Sequence, residues 1–510
     1  MNSEAHMPPI SLAPAVQPSS KPHFPLASAS PSAFFPAPWS LALILGVSLA
    51  GCTVGPDYVR PDAPLSAQFK EAQGWKSAQP ADQLSKGNWW EIFGDPVLND
   101  LEARIDINNQ NVRQAEALYR QAQAQAQGAR AAYSPTVSAS LGDSRGRTVT
   151  GKGVTTQHSL SLDASWEADL WGGIRRSVEA GTATAQASAA TLANAKLSAQ
   201  ATLAQDYFLL RVAEEQKRLY ERTVAAYTRS LELTRNQYAV GVATRADVVQ
   251  AETQLKSTQA LALDVEITRG QLEHAIALLI GKAPGEFSLA PAPLAHQLPD
   301  LPLSLPSALL ERRPDIASAE RQVAAANAQI GVAEAAWFPS LSLTASGGYQ
   351  SAILANWISA PNRFWSLGPT LAETLFDGGA RSAKVSGARA AYDAAVAAYR
   401  QTVLGALGEV EDNLVALHIL KDEIQVQNAA VASARESVTL TTNQYKAGTV
   451  SYLNVVTVET TALTNERTAL TLLGRQYTAA VLLIKALGGG WDGQLNPVAD
   501  AATPQPKQGG

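Results

Sequence analysis

The sequence predicts an α+β membrane protein: a long α-helical coiled-coil barrel joined to four β-strands per chain, the whole internally duplicated. Three observations carry this reading. A stretch of the first half returns in the second without a gap. Apolar residues recur in steps of three and four through very long segments. Four short segments alternate apolar with polar residues at period two.

The duplication emerges when SLELTRNQYAVGVATRADVVQAET, residues 230–253, is set against SVTLTTNQYKAGTVSYLNVVTVET, residues 437–460. Eleven of 24 positions agree at an offset of 207, where ordinary residue usage gives about two. Trp171-Gly172-Gly173 and Asp377-Gly378-Gly379 follow at an offset of 206. Ala115-Glu116 and Pro135 match Ala319-Glu320 and Pro339 at an offset of 204. The chain therefore divides into a disordered start with a lipoprotein signal peptide (1–51) and a lipid-anchored segment (52–95). A first repeat covers 96–282, with strands at about 135–171 and a tip turn at about 238–247. A proline-rich linker spans 283–306. A second repeat covers 307–490, with strands at about 339–377 and a tip turn at about 445–454, and a tail covers 491–510.

Each repeat reads as helix, two strands, a very long helix, a tight turn and a returning helix. In the second repeat the long helix is expected over about 381–445. Its stripe is Tyr392, Val396, Tyr399, Val403, Leu407, Val410, Leu414, Leu417, Leu420 and Ile424. At the rise of an α-helix it is roughly 95 Å long, and a matching helix is expected over about 175–238. Two shorter helices, about 247–280 and 315–337, span roughly 50 and 35 Å and, stacked, nearly equal one long helix. Antiparallel helices of those lengths fit an even-walled tube. On helix pattern alone, a bundle with a solid core is the alternative.

The strands lower that alternative. Leu160, Leu162, Ala164, Trp166, Ala168 and Leu170 alternate with Ser159, Ser161, Asp163, Ser165, Glu167 and Asp169. Val137, Ala139 and Leu141 alternate with Thr136, Ser138 and Ser140, and the second repeat does the same around Leu343 and Leu367. This pattern suits strands between lipid and water, with loops at 142–155 and 347–363 on the outer side. Trp166, Trp357, Trp365 and Tyr349 are placed as interfacial aromatics. Four strands are too few to enclose a pore, so several chains must share one barrel.

The start of the chain carries an address. Residues 1–38 are rich in Pro, Ser and Ala, and the short apolar run 39–49 suits a signal-peptide core rather than a permanent span. It ends in Leu49-Ala50-Gly51-Cys52, which resembles the bacterial lipobox, so Cys52 is expected to be the first mature residue and to carry the lipid. Thr53 follows where an aspartate would suggest inner-membrane retention, which favours the outer membrane. One lipidated residue is only an anchor; the rest of the chain must hold the membrane in another way.

Composition excludes other classes. The 510 residues carry 40 Lys+Arg against 45 Asp+Glu, a formal charge of -5, which leaves no basic footprint for nucleic acid. A single cysteine excludes an intramolecular disulfide and a cysteine metal cage. The six histidines form no HxxxH or HExxH spacing, so no metal or other cofactor is expected. Gly347-Gly348 and Asp377-Gly378-Gly379 read as turn glycines without a phosphate-loop lysine. His158 and Ser159 lie on opposite faces of a strand and form no relay. The chain is not expected to be an enzyme.

Further stretches resemble a known family, the TolC-like outer-membrane efflux proteins, in their NodT/OprM-type lipoprotein branch. Leu305-Pro306-Ser307, Leu309-Leu310 and Arg312-Arg313-Pro314-Asp315-Ile316 are similar to that branch's LPSxLLxRRPDI signature, continued by Ala319-Glu320 and Phe338-Pro339. Trp89-Trp90, Phe93 and Asp95 resemble its WWxxFxD start, and residues 485–491 its C-terminal end. The resemblance implies a homotrimer with a shared 12-stranded barrel in the outer membrane and a helical tunnel in the periplasm. It implies two partners, a periplasmic adaptor (membrane fusion) protein at the tunnel tip and an inner-membrane transporter behind it. The adaptor-contact turns would be Val240-Gly241-Val242 and Ala447-Gly448-Thr449, whose glycines also read as plain helix caps. For the gate, Leu453 fits the apolar ring of the family. Asn454 and Thr457 stand where an acid is expected, leaving Asp247 as the nearest acid at a matching place. These features imply a passive exit duct for solutes such as drugs or toxic organics. The alternative is a lipid-anchored periplasmic coiled-coil scaffold or adaptor, which shares the helical hairpins and lacks paired amphipathic strands.

Overall fold

The computed structural model describes residues 53–64, 68–71, 88–147, 153–294, 298–299 and 312–495. The expected signal peptide, Cys52, parts of the linker, the Leu305–Leu310 portion of the signature and the end of the tail lie outside the described residues.

Seven helices and four strands carry the architecture among the described residues. The first repeat holds α1 (Pro96–Asn108), α2 (Gln110–Ala131), β1 (Thr136–Gly146), β2 (Thr155–Ala168), α3 (Gly173–Ala239) and α4 (Arg245–Leu279). The second holds α5 (Pro314–Ala335), β3 (Ser340–Ser351), β4 (Arg363–Ala372), α6 (Ala380–Lys446) and α7 (Tyr452–Ala486). Corresponding helices are equal in length. Both α2 and α5 have 22 residues, α3 and α6 have 67, and α4 and α7 have 35. The longest are therefore about 100 Å.

Local chemistry sets these boundaries. Asp95 caps α1 by accepting from the N–H groups of Val97 and Leu98, and Pro96 occupies the first turn, where its missing donor costs nothing. Each long helix opens beside an aspartate. Asp169 accepts from the N–H groups of Ile174 and Arg175 at 2.9 and 2.8 Å. Asp377 accepts from those of Gly379 and Arg381 at 3.0 Å each. A carboxylate there satisfies free donors and matches the positive end of the helix dipole.

The core lies along the helices. Trp89, Trp90, Leu98, Leu101 and Ile105 pack with Leu203, Tyr207, Phe208 and Tyr477, joining α1 and the residues before it to α3 and α7. A second cluster, from Ile316 and Val323 through Tyr399, Val403, Val410 and Leu414, joins α5, α6 and α7. Helix α3 packs against α4, α2, α5 and α7, while α6 packs against α7 and α5. The RRPDI stretch is one of the fasteners. Buried Arg313 reaches Asp315, Glu409 at 2.8 Å and the Ala486 carbonyl at 3.1 Å, so one guanidinium ties α5 to α6 and to the end of α7.

The four strands form one antiparallel sheet in the order β1-β2-β3-β4. They run further than glycine content suggests. The sequence reading placed loops from 142 and 347, yet β1 continues through Gly146 and β3 through Ser351. Gly347 and Gly348, read as turn glycines, lie within β3. A Cβ on Gly348 would stand 2.0 Å from the Leu160 carbonyl oxygen, so this glycine permits close approach of two strands. Among the described residues no helix is long and apolar enough to cross a membrane.

Candidate functional site: the exposed sheet, the anchored strap and the helical tip

The pairing register brings the apolar residues of all four strands onto one face. Leu141 lies opposite Leu160, Ala139 opposite Leu162 and Val137 opposite Ala164. Trp166 meets Leu343, Ala164 meets Ala345, and Ala345 meets Leu367 in turn. Among the described residues nothing covers the leucines of this face. Leu141, Leu162 and Leu367 are 73%, 60% and 75% exposed. A continuous apolar surface of this kind on a folded protein marks a contact with lipid or another chain. The opposite face is polar and internally hydrogen-bonded. Ser140 and Ser161 share a hydrogen bond of 2.7 Å, Ser161 donates to Asp163 at 2.7 Å, and Ser346 pairs with Ser366 at 2.9 Å. Strands β1 and β4 are the edges of the sheet. The strands have 11, 14, 12 and 10 residues, sufficient for a tilted membrane crossing of about 9–11 residues.

Just beyond Cys52 the chain is strapped to the junction of sheet and helices. The Val54 N–H donates to the Trp171 carbonyl at 3.0 Å. Buried Arg176, in the first turn of α3, reaches Asp57 at 2.8 Å and the Gly55 carbonyl at 3.1 Å. Asn327 of α5 donates to the Pro56 carbonyl at 2.9 Å, and the Tyr58 hydroxyl donates to Glu320. Further along, the Lys70 and Glu71 N–H groups donate to the Glu411 carboxylate of α6 at 2.7 and 3.0 Å, and Phe69 is buried in the second cluster. The strap thus fixes residue 53 near the end of β2.

The tip is formed by two turns. Gly241 and Gly448 both adopt the left-handed conformation, with φ of 75° and 74°, which a side chain would strain. The Val242 N–H donates to the Gln237 carbonyl at 2.8 Å, and the Thr449 N–H to the Gln444 carbonyl at 3.0 Å. These bonds close both helices in the same way. Val240 and Val242 are 75% and 72% exposed; Ala447, Gly448 and Thr449 are exposed as well. Asp247 forms a capping box with Thr244, accepting from its N–H at 2.8 Å and its hydroxyl at 2.7 Å. Leu453, in the first turn of α7, is 53% exposed, and Asn454 beside it is exposed. The Thr457 hydroxyl donates to the Leu453 carbonyl at 2.9 Å.

Several tip residues escaped the sequence reading. Tyr445 and Tyr452 pack at 5.4 Å between ring centres within a cluster that includes Tyr227, Leu231, Val248 and Val455. The Tyr445 hydroxyl donates to Gln237, and Tyr452 shares a hydrogen bond of 3.1 Å with Ser230, so the second turn is laced to the end of α3. Gln254 of α4 donates to the Thr460 hydroxyl at 2.9 Å. The signal was the repeated Asn-Gln-Tyr, at 236–238 and 443–445; matching residues across a seam need matching partners. Glu459 is a further case. One of its carboxylate oxygens is buried without a partner, and burial pushes its acid up to about 7.

Comparison with known proteins places these features. The sequence pattern of the outer membrane efflux protein family matches residues 103–282 and 305–489, one stretch in each repeat. The chain is 32% identical over 469 residues to the toluene efflux pump outer membrane protein TtgC of Pseudomonas putida, covering 90% of this chain and 97% of that one. It is 30% identical over 457 residues to the cation efflux system protein CusC of Escherichia coli, covering 88% and 98%. The solved outer-membrane channel OprN aligns with a TM-score of 0.81 at 30% identity, over 86% of this chain and all of that one. The open-state MtrE outer membrane channel of Neisseria gonorrhoeae aligns at 0.78 and 29% identity, over 87% and 100%. With both repeats matched in sequence and the helices and strands matched in space, the chain belongs to the outer membrane efflux protein family.

Proposed function

We propose that this protein is the outer-membrane channel of a tripartite efflux system. Three copies contribute their sheets to one 12-stranded barrel, and their helices form a tunnel reaching into the periplasm. It serves as a passive exit duct for solutes such as drugs or toxic organics; relatives are named for toluene, solvent and antibiotic efflux. Cys52 carries the lipid, with the strap from residue 53 holding that end of the chain at the base of the sheet. A periplasmic adaptor docks on the turns at 240–242 and 447–449, with the inner-membrane transporter behind it. Leu453 forms the apolar constriction, beside Asn454 and Thr457. The functional units are the repeats over 96–282 and 307–490, joined by the 283–306 linker.

The observation that carries this reading is the sheet: one apolar face exposed along every strand, the other face polar, with two edges left to pair. A soluble scaffold has no use for such a face. Single cysteines test it. Substitution at Leu162 or Leu343 should resist a water-soluble thiol reagent in whole membranes, while Ser161 and Ser342 positions should react. Equal labelling of both sets would overturn the barrel.

A further inference from the structure

The apolar face of the sheet ends in charge at one end only. On β1 this face runs Val137, Ala139 and Leu141, then Asp143 and Arg145; on β4 it runs from Leu371 and Leu367 through Trp365 to Arg363. Pairing puts Leu141, Leu160, Tyr349 and Arg363 in one row across the four strands. Asp143, His158 and Ser351 form the next row of this face, and Arg145 lies beyond them. The acidic and basic residues of the face therefore gather where β1 and β3 finish and β2 and β4 begin, the end remote from the helices. Asp143 faces His158, whose Nδ1 is 3.2 Å from its carboxylate. Arg145 and Arg363 are exposed, and among the described residues neither guanidinium has a hydrogen bond or an ion pair. The loop after β3 leans onto the same face: the Trp357 ring meets His158 edge-on at 6.3 Å between centres, and Ile353, Leu354 and Ile358 of that loop are exposed.

We propose that this rim binds the phosphate groups of an outer-leaflet glycolipid, with Arg145 and Arg363 as the phosphate ligands and the apolar loop residues beside them against the lipid. The inference rests on the reading that the apolar face meets lipid, and adds that its outer end recognises lipid by charge. A guanidinium on such a face lays its stem along apolar surface and carries its charge to the level of the headgroups. Its planar fork matches the oxygens of a phosphate, and basic clusters at headgroup level select phosphorylated lipids. Trp365, 78% exposed and two residues from Arg363, marks that level, because an indole favours the boundary between apolar and wet. One acid, Asp143, stands against two arginines, so the face keeps a positive excess even when that acid is engaged. The arginines lie on the two edge strands. Closing the barrel brings β4 of one copy beside β1 of the next, which places both at the seam.

The test is binding of a fluorescent lipid A carrying two phosphates to the purified full-length channel in detergent. The wild type should bind it, and the same lipid A without phosphates should bind at least about tenfold more weakly, since the charge-assisted bonds are lost. Arg145→Gln combined with Arg363→Gln should weaken binding of the phosphorylated lipid to a similar extent, and each single change by less. The paired lysine variant keeps the charge and should fall between wild type and the glutamine pair. Equal affinity of the wild type for the two lipids overturns the proposal without recourse to any variant, as does unchanged affinity in the glutamine pair. Displacement by inorganic phosphate as readily as by unlabelled lipid A would assign the site to free phosphate and overturn the lipid. A glutamine pair that falls into single chains yet still binds the lipid would show the arginines pairing with Asp143 of a neighbouring copy, and the proposal falls. Cysteines at Leu162 and Leu343 separate this from the barrel. If they label like those at Ser161 and Ser342, the barrel reading falls and takes the proposal with it; if they stay protected while binding ignores phosphate, only the proposal falls.

Discussion

Gly241 and Gly448 lie 207 residues apart with φ of 75° and 74°, and the closing bonds donated by Val242 and Thr449, at 2.8 and 3.0 Å, run to the same place in each turn. The surroundings differ. The first returning helix starts on a complete Thr244–Asp247 capping box; the second starts at Ser451, whose side chain makes no capping bond. Tyr238 is half exposed, whereas its counterpart Tyr445 is buried against Tyr452 and bonded to Gln237. Glu252 is half exposed beside Arg235 at 3.8 Å, while its counterpart Glu459 holds one carboxylate oxygen buried without a hydrogen-bond partner. Duplication preserved the reversal of the chain and released its supports. One hairpin is held by its own cap, and the other by contacts with its neighbour. A helix start held from outside can be freed by moving what holds it, which fits α7 for gating and α4 for a fixed wall.

Bulk at the second turn should have the largest effect. Gly448→Trp forces a side chain into the left-handed region and obstructs the exposed turn. Export should be lost, read as sensitivity of cells to an exported compound, while the channel still assembles in the membrane. Normal export would remove this turn from the adaptor contact and leave it only its role in reversing the chain.

Leu453→Ser should raise single-channel conductance severalfold, because a polar residue relieves the dehydration an apolar constriction imposes on ions. Its counterpart, Ala246→Ser, should leave conductance unchanged. An equal response from both would place the gate in both hairpins.

Glu459 sharpens the comparison through pH. Burial raises the Glu459 acid from 4.5 to about 7, so the folded state favours its neutral form. Stability conferred on the tip should therefore fall as pH rises from about 4.5 to about 7, and then level off. Glu459→Gln should flatten that part of the thermal-unfolding profile and stabilise the protein above pH 7.

The smallest effect belongs to the caps. Thr244→Ala should cost about 1 kcal/mol and speed hydrogen exchange at the start of α4. Ser451→Ala should change exchange at α7 little, since no capping bond is lost. An equal response would mean that the two starts are held alike.

Most of the architecture was legible because it is periodic. The 24-residue match at an offset of 207 marked the duplication, the apolar stripe from Tyr392 to Ile424 marked the long helix, and alternation around Leu162 and Leu343 assigned the two sheet faces. Strand ends were less legible. Glycine signals a turn by local preference, but Gly348 serves close strand contact, which only the partner strand reveals. The docked strap was invisible for a similar reason: Val54 through Tyr58 show no periodicity, and their partners Arg176, Glu320 and Asn327 come from distant helices. At the tip, the repeated Asn-Gln-Tyr was plain, yet sequence could not tell that one tyrosine is buried and the other half exposed, since that depends on which helix lies opposite.

The matched spans of 22, 67 and 35 residues make the molecule a pair of gauged arms. Removing seven residues from α6 and the facing seven from α7 would lift Gly448 about 10 Å away from the level of Gly241, and the shared seat of Gln237 and Tyr445 would vanish. The same excision made in both arms would keep the two ends flush and give a shorter instrument of the same pattern. The distance from sheet to tip is therefore a quantity this design can change only in paired steps, two turns of coiled coil at a time in both halves.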